Sequence, residues 1–386
     1  MTLIHQILLI TVLLFAAGLI ISISNALTVK HLASYPASKT QPFVSILIPA
    51  RNEEKNIEKC VSSLLQQDYP NFEVIVLNDN STDQTPFILK KLRRDHNNLR
   101  VINGLPLPAG WPGKHWACNQ LGQAAKGEFL LFTDADTFHA PSALRHAVNA
   151  MQFEQADLIS ALPNQEVGSF GEKLVVPFMN FAILSFLPLR FGQNHHISAL
   201  SVTIGQFMMF RREAYQAVGG YASATENVND DVLLGRNIID KGYKWKLLNG
   251  SREVSCRMYR NFAEVFEGFS KNIFGFFDYR ILPFTIAWLG VAYIFLEPFR
   301  VILKYLVGVQ SIPAADYHLA VLILIESLIL FYSAYHRMGI PHYLAFLYPL
   351  TIFFFTTVAL FSMLLSLTGR ATWKGRELKK VEVKWF

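Results

Sequence analysis

Residues 3–27 contain no Asp, Glu, Lys or Arg, and their apolar run is interrupted only by isolated polar side chains such as His5, Gln6 and Asn25. A run of this length can cross a bilayer as a helix and is too long for an ordinary core helix. No Lys or Arg precedes it, whereas Lys30, His31 and Lys39 follow it. A cleaved signal peptide carries its basic residues first, so this run reads as an uncleaved anchor with the bulk of the chain in the cytoplasm. Three more apolar stretches lie towards the other end, at residues 281–299, 319–335 and 343–367. The last has no formal charge, and the second carries Glu326, which should face protein or water rather than lipid. Three crossings from a cytoplasmic middle would put Arg370, Lys374, Arg376, Lys379, Lys380 and Lys384 outside, against the positive-inside rule. One segment is therefore expected not to cross. Residues 281–299, followed at once by Arg300 and Lys304, are the expected interfacial or re-entrant piece. Residues 174–191, with Pro177 and Pro188 inside, read as an interfacial helix or part of an acceptor groove.

Of the 386 residues, 52% are hydrophobic and only 17% charged, so the apolar excess sits in these end segments. The net charge of +6 gathers beside them, which suits an anionic membrane surface. No aromatic–basic motif points to nucleic acid. Cys60, Cys118 and Cys256 are scattered and lack CxxC spacing. They indicate neither a disulfide framework nor a zinc site, as expected of a reducing compartment.

Between the apolar ends, strand and helix patterns alternate, which implies a parallel, doubly wound α/β sheet. Residues 44–48 read as a strand, followed by a helix whose stripe is Ile57, Cys60, Val61, Leu64 and Leu65. Asn52 is its expected N-cap, with Glu53 and Glu54 favouring the positive helix start. Residues 72–77 and 100–102 read as strands, with a helix between them reaching about Arg94. Helices at 114–125 and 143–155 flank a strand at 129–133. Right-handed crossovers leave the turns after three of these strands on one sheet edge: 49–53, 78–83 and 133–136. The last turn carries Asp134-Ala135-Asp136, two hard oxygen ligands suited to Mg²⁺ or Mn²⁺, with phosphate oxygens and water completing the octahedron. An isolated Asp-x-Asp is weak, and Asp79, Asp83 and Arg51 each have an ordinary reading in turn chemistry. Three such turns converging on one edge point to a nucleotide pocket. Lys114, opening a helix after Gly113, is placed beside phosphate or is an ordinary surface lysine. Asp230 and Asp231 are adjacent at a helix start, project about 100° apart and cannot share one task. His195 and His196 read as structural or lipid-interface residues.

The run Ser45-Ile46-Leu47-Ile48-Pro49-Ala50-Arg51-Asn52-Glu53-Glu54, then Leu77-Asn78-Asp79-Asn80-Ser81-Thr82-Asp83, then Asp134-Ala135-Asp136 resembles the family 2 glycosyltransferases. The resemblance continues through Gly219-Gly220-Tyr221 and Asn229-Asp230-Asp231-Val232-Leu233-Leu234, spanning roughly residues 44–242. It implies the nucleotide-diphospho-sugar transferase (GT-A) fold, with transmembrane helices at both ends. The Gly113-Lys114-His115-Trp116-Ala117 turn narrows the likeness, as do Met258-Tyr259-Arg260, Glu267-Gly268-Phe269-Ser270-Lys271 and the Trp373-Lys374-Gly375-Arg376 tail. These resemble membrane enzymes that glycosylate lipids, especially carotenoid-acid (diaponeurosporenoate) glycosyltransferases. Hopanoid-associated and ceramide glucosyltransferases are more distant. The implied plan is an anchor at 1–40, a glycosyltransferase domain at 41–277, and membrane segments with a basic tail at 278–386.

The resemblance also implies roles. Asp79 contacts the base or ribose, helped by Pro49, Arg51 and Glu53. Asp134 sits near the ribose and diphosphate and, with Asp136, at the metal, for which Asp136 is the ligand. Asp231 is the general base and Asp230 its neighbour in the acceptor site. The implied reaction inverts the anomeric centre, using Mg²⁺ or Mn²⁺, a UDP-sugar (glucose foremost) and a lipid acceptor such as a carotenoid acid. A Gln-x-x-Arg-Trp motif common in the family is missing: residues 265–269 read Val-Phe-Glu-Gly-Phe. That disfavours processive polymer synthesis and leaves Lys271 or Arg260 to supply the missing cation. A non-catalytic protein that binds nucleotide sugar or lipid is the other alternative, and the intact acids argue against it.

Overall fold

The computed structural model describes residues 2–225, 229–309, 312–369, 372–373, 376–377 and 382–386. Arg370, Lys374, Lys379 and Lys380 of the basic tail, and Lys374-Gly375 of the tail motif, lie outside the described residues. The chain forms two units. One comprises Met1–Thr28, Val167–Pro188 and Tyr259–Phe386; the other comprises Val29–Glu166 and Leu189–Met258.

The second unit is built on a seven-stranded sheet in the order β3-β2-β1-β4-β8-β6-β9. Its strands are β1 (Val44–Ala50), β2 (Phe72–Asn78), β3 (Leu99–Asn103), β4 (Phe129–Phe132), β6 (Leu158–Leu162), β8 (Met208–Arg211) and β9 (Trp245–Asn249). β1, β2, β3 and β4 pair in parallel, and β8 is inserted antiparallel between β4 and β6. The branched and aromatic residues of β1, β2 and β4 are almost wholly buried, as expected for strands covered on both faces. Ala50 stands opposite Asn78, and Leu47 opposite Phe132. The three polar turns read from the sequence therefore leave the sheet on one edge, where α/β sheets bind ligands. A smaller sheet joins β5 (Thr137–His139), β10 (Val254–Cys256) and β7 (Asn164–Gln165), setting Cys256 opposite both Thr137 and Gln165. Helices α2 (Ile57–Leu65), α3 (Thr85–Asp95), α4 (Gly113–Ala124), α5 (Ala143–Glu154), α8 (Leu189–Asn194), α9 (Arg212–Ala217) and α10 (Asp230–Asp240) complete the unit.

One local expectation fails. α2 begins at Ile57, so its N-cap position is Asn56 and not Asn52. Asn52 takes a left-handed backbone (φ 53°), a conformation Asn tolerates, and its side-chain oxygen accepts from the Thr82 amide at 2.9 Å. The cap is lost because that side chain ties two turns together.

The first unit contains α1 (Leu3–Thr28), α6 (Phe170–Val175), α7 (Pro177–Phe186), α11 (Phe262–Ser270), α12 (Ile281–Leu306), α13 (Ala314–Arg337) and α14 (Tyr348–Thr368). Among the described residues, four helical segments are long and apolar enough to cross a membrane: 3–28, 281–306, 314–337 and 342–368. α1 and α13 run parallel in constant register. His5 Nδ1 lies 2.5 Å from Asp316, the Ser22 and Ser333 hydroxyls are 3.1 Å apart, and Arg337 donates to the Ala26 carbonyl. α12 runs against α13, since Tyr305 stacks on Tyr317 and Phe295 meets Phe331. α12 also runs against α14, because Thr285 bonds Met363 and Phe299 packs on Tyr348.

Consecutive helices α13 and α14 thus point the same way, and the chain must double back between them. Tyr348, at the start of α14, stacks beside Phe331, six residues before the end of α13. Residues 338–347 therefore climb back by about 9 Å at 1.5 Å per residue. Residues 281–299, expected as an interfacial or re-entrant piece, belong to one continuous helix, α12, despite Pro298. The doubled-back segment precedes α14. The end of α13 lies level with the end of α1, and the end of α14 level with the start of α12. There Ile281 and Leu282 donate to the Lys384 and Trp385 carbonyls.

Residues 174–191 are not one helix but the end of α6, all of α7 and the start of α8. Phe181 stacks on Phe331 at 3.6 Å and Phe178 lies 4.2 Å from Phe355, so α7 is packed into the bundle. Asn25 of α1, fully buried, donates to the Leu184 and Leu187 carbonyls at 3.0 and 2.8 Å, satisfying orphaned groups at the end of α7.

Candidate active site

At the edge where β1 and β2 end, the two turns are zipped together. Arg51 donates to the Asp79 and Asn80 carbonyls at 2.8 and 3.1 Å. The Glu54 amide donates to Asp83 and the Gln84 amide to Glu54. Burial opposes the charge of Asp83, but hydrogen bonds from Thr85 and the Glu54 amide hold its carboxyl below the usual range. Asp83 is thus committed to turn chemistry. Pro49 stands one residue before the end of β1, Glu53 accepts from the Asn56 amide group at 3.0 Å, and Asp79, just after β2, is buried.

β4 stops at Phe132, and residues 134–136 form a turn before β5, so strand alternation does not set the directions of the two acids. Lys114, at the first turn of α4, reaches Asp134 Oδ1 at 2.7 Å. Partial withdrawal from water opposes its charge, but Asp134 and then Asp230 outweigh that and hold the amine well above its ordinary value. Asp136 lies among the thiols of Cys256, to which it is hydrogen-bonded, and Cys60, whose Sγ is 3.6 Å from the Asp134 carbonyl. Burial, then the nearby Asp136 and Asp134, push the Cys256 thiol far up. Burial first, helped by the charges of Asp136, Glu53 and Asp134 and opposed by a hydrogen bond with Thr137, drives Cys60 to about 12, so both sulfurs stay protonated.

α10 supplies Asp230 and Asp231 in its first turn. Asp230 is buried, and its Oδ2 has no hydrogen-bond partner among the described residues. Burial raises its pKa, but Lys114 and then His115 outweigh that and keep it ionised. Asp231 takes the opposite shift: burial first, then the charge of Asp230, push it up against the pull of Lys114. Its Oδ2 accepts from the Gly205 amide at 2.9 Å and its Oδ1 from the Val232 amide at 2.8 Å. A Cβ at Gly205 would stand 3.4 Å from Asp231 Oδ2 and 3.5 Å from Lys114 Nζ. Lys114 therefore joins Asp134 to the Asp230–Asp231 pair, a closer link than a role beside phosphate alone implied. The sequence reading missed Thr133, His139, Thr203 and Gly205, whose signals were a polar residue ending an apolar strand and a lone glycine before β8.

Among the described residues no three His, Cys, Asp or Glu side chains are grouped to hold a metal. Two hard carboxylates on one turn nonetheless fit a Mg²⁺- or Mn²⁺-type ion that takes its remaining ligands from phosphate and water. Arg260 and Lys271, the candidates for the missing cation, belong to the helical unit.

Parallel strands ending in acidic turns, with Lys114 between Asp134 and the Asp230–Asp231 pair, form a charged cluster at the edge where α/β sheets bind ligands. Residues 45–219 match the profile described as Glycosyl transferase family 2. A beta-monoglucosyldiacylglycerol synthase from Nostoc sp. is 33% identical over 199 residues, 50% of this chain and 40% of that protein. A 4,4'-diaponeurosporenoate glycosyltransferase from Staphylococcus aureus is 30% identical over 238 residues, 60% of each chain. The chain thus spans about half the length of the curated relatives it matches. In three dimensions it resembles a mannosyltransferase from Pyrobaculum calidifontis solved with GDP-Man and Mn²⁺. The TM-score is 0.56 at 18% identity, covering 95% of this chain and 99% of that one. The fold is GT-A, with helices of membrane-spanning length at both ends.

Proposed function

We propose that this chain is an inverting, metal-dependent glycosyltransferase that moves a sugar from a nucleoside diphosphate, UDP-glucose foremost, onto a membrane lipid. The observation that carries the reading is the Asp134–Lys114–Asp230/Asp231 cluster at the sheet edge of a chain that also has four helices of spanning length. The relatives act, by their names, on a diacylglycerol and on a carotenoid acid, which supports a lipid acceptor.

Asp79, Arg51, Pro49 and Glu53 would cradle the nucleoside, and Asp134 and Asp136 would hold Mg²⁺ or Mn²⁺ together with the diphosphate. The ion, when bound, neutralises charge developing on the leaving group. Lys114 supplies further positive charge at the same place. Asp231 takes the proton of the acceptor hydroxyl as the acceptor oxygen bonds to the anomeric carbon. The bond from that carbon to the diphosphate oxygen breaks, and the nucleoside diphosphate leaves with the electron pair. Asp230, kept ionised by Lys114, raises the proton affinity of Asp231. A carboxylic acid acceptor, already ionised, needs that base less. The catalytic unit faces the cytoplasm in this reading, with the anchor and the C-terminal helices in the membrane.

Purified protein incubated with Mg²⁺, radiolabelled sugar nucleotides and lipid vesicles tests the reading by product. A labelled glycolipid is expected. A polymer would favour a processive synthase, and no transfer with retained nucleotide binding would favour a non-catalytic role.

A further inference from the structure

The hydroxyls of Thr133 and Thr137 lie behind the acidic turn. Thr133 donates to the Gln206 carbonyl at 2.7 Å and Thr137 to the Asp134 carbonyl at 2.8 Å. His139 Nε2 lies 3.0 Å from both hydroxyl oxygens. Each hydroxyl has one hydrogen, and both are committed to carbonyls. The imidazole therefore faces two acceptors and carries its hydrogen on Nε2. Burial drives the His139 pKa down to about 3, so the ring is neutral.

Gln206 ends a short segment, residues 203–206, that holds Asp231 from the other side. Thr203 donates its hydroxyl hydrogen to the Asp231 carbonyl at 2.6 Å, and the Gly205 amide binds the Asp231 carboxylate. The Ile204 amide is fixed to Ser160 of β6 at 2.7 Å. Gly235 of α10 makes room for this arm, since a Cβ there would stand 2.7 Å from Thr203 Cγ2. The acidic turn and Asp231 are thus tied to opposite ends of the same four residues.

We propose that Thr133, His139 and Thr203 are positioning residues that clasp segment 203–206 between the Asp134–Asp136 turn and Asp231, fixing the spacing between donor and base. The inference rests on Asp231 being the base. A misplacement of about 1 Å at a reacting pair costs up to roughly 100-fold in rate.

Thr133→Val and Thr203→Val remove one hydroxyl each while keeping the shape. Both should lower kcat roughly 10- to 100-fold, leave the Kd for UDP with Mg²⁺ within about twofold, and be largely restored by Thr133→Ser and Thr203→Ser. A folded Val variant with wild-type kcat overturns the clasp, as do equal losses in kcat and UDP affinity or a loss that Ser does not restore. Asp231→Asn, measured alongside, should bind UDP and not transfer. If it transfers normally, the base assignment fails, a result distinct from failure of the clasp alone. Wild-type protein labelled with nitrogen-15 histidine gives an answer that needs no variant: His139 should appear as the neutral Nε2–H tautomer, and Nδ1–H would refute the network.

Discussion

Replacing Lys114 by Met should move the acid limb of the pH–rate profile upward by about one unit. Asp231 Oδ2 and Lys114 Nζ both lie within 3.5 Å of the point where a Gly205 Cβ would stand, so they are no more than about 7 Å apart. At that separation and an effective dielectric near 20, a unit charge is worth roughly 2.4 kcal/mol, or ~1.7 pH units. Lys114 keeps 42% of its side chain exposed, and screening by water removes about half of that, leaving ~1 unit. The sign follows from the base role. Asp231 must be ionised to accept a proton, a cation favours the ionised form, and removing the cation raises its pKa. The wild-type limb is expected near 6, where burial and Asp230 place Asp231, and the variant's near 7. Lys114 is also the first support of the ionised Asp230, so the one-unit figure is worked with Asp230 kept ionised by what remains in the variant, His115 and the backbone hydrogen bonds at Asp230 and Asp231. The assay is kcat/KM against pH, which reports the free enzyme. Weaker diphosphate binding lowers the whole curve without moving its limb, so the two effects separate. An unmoved limb, or one shifted to lower pH, would refute the electrostatic link between Lys114 and Asp231.

Asp136→Asn should abolish turnover and weaken Mn²⁺ binding, read by electron paramagnetic resonance, while the melting temperature holds; full activity at saturating Mg²⁺ would remove Asp136 from the metal site. Asn25→Ala leaves the Leu184 and Leu187 carbonyls unsatisfied at the end of α7, and should cost about 1–3 kcal/mol. Thermal melting in detergent measures it, and an unchanged transition would mean that water replaces the amide. A reporter fused after Phe386 should report the cytoplasmic side, which the basic tail favours, and a periplasmic signal would mean that all three C-terminal segments cross.

The acids of the proposed donor side, Asp79 and Asp134, were legible because each follows a strand end, and strand ends are set by apolar runs visible in the sequence. β1, β2 and β4 stop at Ala50, Asn78 and Phe132, and their turns carry Arg51, Asp79 and Asp134. What holds those acids was not legible. The Gly205 amide that binds Asp231 is a backbone donor 26 residues away, and a backbone group leaves no mark on residue type. His139 reads in sequence as one more polar residue in a short strand. Its meaning depends on two hydroxyls whose hydrogens are already committed to carbonyls, which only the folded geometry specifies. Asn52 misled for a related reason, since the residue type that caps helices also bonds neighbouring turns.

The charge rule and the packing of the C-terminal helices converge from different directions. Counting basic residues showed that three full crossings would strand the tail on the wrong side, but charge alone could not say which segment yields. Residues 281–299 seemed the weakest because Arg300 and Lys304 follow them. Packing adds that Tyr305 against Tyr317 and Thr285 against Met363 make α12 antiparallel to both α13 and α14. Two consecutive helices that share a direction require a return between them, and residues 338–347 supply it. The end of α14 then lies level with the start of α12, where Thr285 meets Met363.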